Sequence, residues 1–219
     1  MVRRTKAEAA VTREQLLDAA ERVFRERGVA STTLGEVAAA AGVTRGAVYW
    51  HFRDKADLLA ALCGRTTLPL DALFDDAVTQ GANALDTLRT TAIAALRHLA
   101  GDPRAQAIFQ LVFQTCGSNE DMAPLASTQQ RERGACLARV DGLVARAVEQ
   151  GSLPPDTDPL LAGEALHAYV MGIMQSWVQN PASYDLGAAA PALIDAMLAG
   201  LRASPPRRNG VAAPSSDTR

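Results

Sequence analysis

Thr33-Leu34-Gly35-Glu36-Val37-Ala38-Ala39-Ala40-Ala41-Gly42-Val43-Thr44-Arg45-Gly46-Ala47-Val48-Tyr49-Trp50-His51-Phe52 contains two helix starts and one turn. Thr33 followed by Glu36 is a capping box. The hydroxyl accepts an amide of the first turn, and the carboxylate reaches back to the cap's own amide. The helix it opens runs through Ala41, and Gly42 ends it, because a residue just past a helix end must often take a left-handed conformation. Thr44 then caps another helix, Arg45 to Phe52. Two short helices around a glycine turn form a helix-turn-helix. In that unit the first helix braces and the second enters the major groove of DNA.

The spacing assigns faces. Val37, Ala38 and Ala41 point inward from the bracing helix, as do Val48 and Phe52, four apart, from the next one. Arg45 and Tyr49, also four apart, share a different face. Thr44, Arg45, Gly46 and Tyr49 are thereby turned toward DNA. The donor fork of Arg45 suits a guanine edge, a contact that discriminates bases by ~1–3 kcal/mol. Gly46, without a Cβ, lets the helix approach closely. The hydroxyls of Thr33 and Tyr49 suit phosphate oxygens, and His51 and Lys55, near the next helix start, suit phosphate as well. Thr33 and Thr44 would serve as caps in any protein. Tyr49-Trp50-His51-Phe52 is harder to explain as core alone, since it gathers three aromatics in a chain that is only 5% aromatic.

Outward from this unit the pattern stays helical. Thr12 to Gln15 reads as a capping box opening a first helix through Leu16, Leu17, Ala20, Val23 and Phe24, which Gly28 ends. Asp54 caps a helix through Leu58, Leu59 and Leu62, extending toward Leu68 with a break at Pro69. Further helices are expected over 83–100, 104–116, 124–150, 159–179 and 188–202. Gly101-Asp102-Pro103, Gly117-Ser118-Asn119 and Gly151 separate them. Asp158 is the expected cap before Pro159, with the proline in the first helical position. This gives an all-α chain in four parts. A basic arm covers 1–10, with Arg3, Arg4 and Lys6. A three-helix DNA-binding domain covers 11–56, and a helical ligand-binding and dimerisation domain covers 57–202. A disordered tail covers 203–219.

Composition agrees. The chain is 48% apolar and rich in alanine and leucine, which favours packed helices over sheets. Its net charge is −2, yet residues 1–55 carry ten Lys/Arg against seven Asp/Glu. Nucleic-acid binding needs such local positive potential rather than a basic whole. No secretory signal and no run of about 18 apolar residues is visible, so a cytosolic chain with no membrane span is expected. Cys63, Cys116 and Cys136 are far apart and odd in number, which argues for free thiols.

Residues 31–38, 41–52 and 54–55 closely resemble the DNA-binding domain of the tetracycline-repressor family. Within it, Met1 to Lys6 and Thr44 to Phe52 look like repressors of multidrug efflux pumps. Ala168-Tyr169-Val170 and Trp177 carry a weaker likeness to the same group. The resemblance implies a homodimer joined by the helices at about 159–179 and 188–202. It also implies double-stranded, palindromic operator DNA as partner, and a small inducer that separates the two reading heads. The inducer pocket it implies is lined by Leu88, Thr91, Ala92, Ala95, Phe109, Phe113, Cys136, Val140, His167, Val170, Met171 and Gln175. Related repressors carry charge near Met171 and Gln175. Both are uncharged here, which favours neutral lipophilic inducers. Each of these residues also reads as ordinary core, and His167 on an apolar face reads first as a core histidine.

Other classes remain to be weighed. Glu164 and His167 match the Glu-x-x-His unit of di-iron bundles, but no second such unit exists. No nucleophile elbow, phosphate loop or paired-cysteine motif appears, so neither catalysis nor a cofactor is expected. Cys116 and Cys136 leave a redox sensor open, and the same fold also serves regulators that answer to a metabolite.

Overall fold

The computed structural model describes residues 6–66, 83–115 and 123–208. Among them are nine helices: α1 (Lys6–Arg27), α2 (Leu34–Ala40), α3 (Arg45–His51), α4 (Lys55–Thr66), α5 (Ala84–Gly101), α6 (Pro103–Thr115), α7 (Ala123–Glu149), α8 (Pro159–Gln179) and α9 (Leu186–Ala203). No strand occurs among the described residues; Thr157 and Arg207 form an isolated antiparallel bridge. The expected extension to Leu68, Pro69, Cys116, the 117–119 loop, Arg3 and Arg4 lie outside the described residues.

Most helix ends follow from caps. Thr33, Asn83, Asp158 and Asp185 each accept first-turn amides at their helix starts. Gly42 has φ +68°, which frees the amides of Gly42 and Val43 to bond the carbonyls of Ala39 and Ala38. That Schellman pattern turns the chain sharply from α2 toward α3. One expected cap fails. Thr12 lies inside α1, and its hydroxyl donates to the Glu8 carbonyl at 3.0 Å. The alanines at 7, 9 and 10 are strong helix formers, so the chain is already helical at Lys6, the first described residue, and residues 6–10 of the expected arm belong to α1.

Two apolar cores organise the molecule. The head core joins Leu16, Leu17, Phe24, Val37, Val48 and Phe52 to Leu58, Leu59 and Leu62 of α4, and also takes Ile108 and Leu111 from α6. The expected boundary at 56 therefore cuts through a packed core. The body core is built from α5, α7, α8 and α9, with Ala105 of α6. Pro191 sits inside α9. It has no N–H for the Gly187 carbonyl, and Arg97 Nε donates to that oxygen instead at 3.3 Å. By length and composition α9 could cross a membrane. Its buried residues Ile194, Leu198 and Leu201 belong to the body core.

The stretch after α9 differs from the expected tail. The Asp158 amide donates to the Pro206 carbonyl at 2.8 Å, and the Arg208 amide to the Asp156 carbonyl at 3.1 Å. Arg207 pairs with Asp156 at 2.9 Å. Residues 204–208 thus lie back on the connector before α8. Polar composition suggested disorder, but these backbone groups and the buried Pro205 have partners within reach.

Candidate nucleic-acid interface

Helix α3 is anchored along one face and open on the other. Val48 is fully buried, and Phe52, its C-cap, is 2% exposed. Arg13 of α1 stands over the Phe52 ring, 5.3 Å from its centroid. Arg22 donates to the Ala40 carbonyl at 3.0 Å, fastening the end of α2. Lys55 ties the loop before α2 by donating to the carbonyls of Val29 (3.3 Å) and Ala30 (3.2 Å). The frame of the unit is therefore built from cations and apolar side chains together.

The open side carries the predicted reading residues. Thr33, Thr44, Arg45, Gly46 and Tyr49 are all exposed. Thr33 Oγ1 accepts the Glu36 amide at 3.2 Å, and Glu36 Oε2 accepts the Thr33 amide at 2.8 Å. Those backbone and side-chain bonds from Thr33, then the burial-opposed pull of Arg27, hold the Glu36 carboxyl below its usual range. Thr44 Oγ1 accepts the Ala47 amide at 3.3 Å. A Cβ on Gly46 would meet nothing within 4 Å, so that surface of α3 faces open space. Arg45 lies along Gly35, where an added Cβ would stand 3.6 Å from Nε.

Two predicted residues are placed differently from the rest. Lys55 is half-buried and bonds the loop carbonyls. His51 is half-buried, with its ring edge-on to Trp50 at 4.6 Å. Trp50 was not assigned a role by spacing, yet it is 73% exposed, the most exposed large apolar side chain described. Its composition signal, an aromatic run in an aromatic-poor chain, was available in the sequence.

The predicted inducer residues divide. Leu88, Thr91, Ala92 and Val140 are buried, and Phe109, Cys136 and Val170 pack around the same body core. Phe113 is 42% exposed and stacks on Phe109 at 5.8 Å. Ala95, His167, Met171 and Gln175 are partly buried. Burial, then the Arg133 charge, lowers the His167 pKa, and burial raises that of the Cys136 thiol. No group of three or more His, Cys, Asp or Glu placed to hold a metal occurs among the described residues. Two open clefts lie elsewhere, between α1 and α6. One of about 500 Å³ is lined by Asp18, Glu21, Arg22, Arg25, Glu26 and Arg104. The other, about 570 Å³, reaches Val178 and Pro181. Neither is lined by a predicted inducer residue.

A braced helix-turn-helix head on an all-helical body defines a DNA-binding transcription regulator. Residues 16–62 match the family described as "Bacterial regulatory proteins, tetR family". Residues 83–203 match the C-terminal region of MAATS-type transcriptional repressors. The HTH-type transcriptional repressor BepR of Brucella suis is 38% identical over 203 residues, which covers 92% of this chain and 97% of BepR. The crystal structure of NalD, the secondary repressor of the MexAB-OprM multidrug efflux pump in Pseudomonas aeruginosa, matches with TM-score 0.83. Its identity is 31%, over 91% of this chain and 100% of NalD. The complex of SmeT with triclosan matches at TM-score 0.76 and 33% identity, over 95% and 98% of the two chains. SmeT is the repressor of the Stenotrophomonas maltophilia multidrug efflux pump SmeDEF. This chain belongs to the tetR family of bacterial regulatory proteins.

Proposed function

We propose that this chain is a ligand-responsive repressor of a multidrug efflux operon. It binds a palindromic operator as a homodimer and leaves it when a small lipophilic compound enters the body. The observation that carries this reading is the exposed face of α3. Thr44, Arg45, Gly46 and Tyr49 are uncovered there, on a helix anchored from behind by the buried Val48 and its C-cap Phe52. Arg45 reads a base edge. Thr33, Tyr49, His51 and Lys55 are the phosphate contacts, and Lys55 also holds the loop before α2. A regulator of this kind works in the compartment that holds its DNA, and its role is binding rather than catalysis.

The efflux assignment rests on NalD and SmeT, both repressors of multidrug efflux pumps and both similar over nearly the whole chain. The inducer region is the mixed set on α5 to α8 from Leu88 to Gln175, predominantly apolar with few polar groups, as drug-sized sites tend to be. The dimer uses α8 and α9. Leu160 and Leu161 are 68% and 51% exposed, and Ala188, Ala192, Ala196, Ala199 and Gly200 line an exposed face of α9. Small residues permit close helix approach across a twofold axis, which places two heads about 34–36 Å apart or a multiple of that.

Fluorescence anisotropy with the duplex upstream of the protein's own gene tests the reading. Tight binding that falls steeply with salt and weakens on adding triclosan is expected. Affinity no better than for a scrambled duplex at the same salt would end the operator assignment.

A further inference from the structure

Head and body are joined by an ionic hub centred on Asp18. Glu14, Asp18 and Glu21 lie on one face of α1, at helical spacing. Opposite them stand Arg65 of α4 and Arg104 of α6. Arg65 Nη2 donates to Asp18 Oδ1 at 2.8 Å and lies 3.2 Å from Glu14 Oε2. Arg104 Nη2 donates to the same Asp18 oxygen at 3.3 Å, and its Nε stands 2.9 Å from Glu21 Oε2. One carboxylate oxygen thus serves guanidinium groups from two helices. The side chains of Arg65 and Glu21 are only 18% and 12% exposed. Isolated surface pairs contribute little, whereas networks with shielded members are screened less.

Helix α6 faces both ways. Ile108 and Leu111 sit in the head core, while Ala105 sits in the body core with Phe109 packed against it. Arg104 lies in the first turn of this same helix. A shift of α6 against α1 must stretch Arg104 away from Asp18 and Glu21, or pull Asp18 from Arg65.

We propose that Asp18 is a positioning residue for DNA binding, fixing the angle of the reading head on the body through Arg65 and Arg104. Movement of α6 is thereby transmitted to α3. The inference rests on the repressor reading above and adds the residues that carry the coupling. Asp18 acts through the two arginines, since an anion on α1 has nothing to offer a phosphate.

Coupling is reciprocal. If α6 influences DNA affinity, bound DNA must in turn steady α6. Hydrogen exchange on the full chain, with and without a duplex selected from a random pool by the wild-type protein, reads this directly. In the wild type, saturating duplex is expected to protect α3 and, remotely, α6. Asp18→Asn is expected to keep the α3 protection and lose at least half of the α6 increment, and Asp18→Glu to restore it. Asp18 is 57% exposed, so the neutral variant folds, which its melting midpoint checks. An unchanged α6 increment in Asp18→Asn, or none in the wild type, overturns the proposal. Absence of α3 protection in the wild type removes the DNA-binding reading, and this proposal with it.

Discussion

Arg45 and Lys55 are both cations at the reading unit, and they are held differently. Arg45 is exposed beside Gly35, whereas Lys55 spends two donors on the Val29 and Ala30 carbonyls. Arg45→Ala is expected to lower selectivity between operator and scrambled duplex by roughly 10-fold or more, as loss of a bidentate base contact does. Non-specific binding should change little. Equal selectivity in an anisotropy titration would show that another residue reads the bases. Asp141, on α7, is a second residue with a definite expectation. Burial, then the charges of Glu164 and Asp158, raise its pKa. Its folded state therefore penalises the anion above the ordinary carboxylate value, and stability falls as pH rises through that window. Asp141→Asn is expected to raise Tm at neutral pH, by an amount that solvent screening of this partly exposed carboxyl keeps small. The gain should vanish in acid, where the carboxyl is neutral in both states. A Tm gain that persists unchanged at low pH would assign it to packing instead.

Elements were legible where a cap and a glycine bracket an apolar rhythm. Thr33 with Glu36, Thr44, Asp158 with Pro159, and the glycines at 28, 42 and 151 all mark real helix ends. Thr12 with Gln15 shows the same letters but opens no helix, because the preceding residues already favour helix and nothing interrupts them. Contacts across elements were not legible in the same way. Gly163 illustrates this: propensity alone says that alanine would stabilise α8 by about 1 kcal/mol. A Cβ there would stand 2.0 Å from Asp141 Oδ1 and 3.2 Å from its Cγ. Gly163→Ala is therefore expected to lower Tm in the wild type and to raise it in an Asp141→Ala background. That reversal of sign is a coupling a double-mutant cycle detects. Additive effects would mean that the carboxyl simply swings aside.

For the whole molecule, the all-helical class and the head-then-body order followed from periodicity and caps. The way the two parts meet did not, because Ile108 and Leu111 lie some fifty residues from the head in sequence and look like any other apolar pair on a helix. The predicted inducer residues are likewise split between core and partial exposure, a distinction that depends on which helices pack together. The proposed dimer belongs to this scale. Ala196→Arg, on the exposed face of α9, is expected to give a single-chain mass in sedimentation equilibrium. Operator affinity should fall by on the order of 100-fold, since two linked heads gain that much from binding together. A variant that keeps the double mass would move the interface elsewhere.

The clip between the connector and residues 204–208 has a consequence for the order of events in assembly. It closes a ring of chain that contains α8 and α9, joining the entry of one to the exit of the other. The conformational freedom of that ring is already lost in the single chain, before any second copy arrives. Two such chains would meet as preformed surfaces, so encounter rather than rearrangement would set the pace of pairing. Refolding would then separate into an early phase indifferent to protein concentration and a later one that quickens with it.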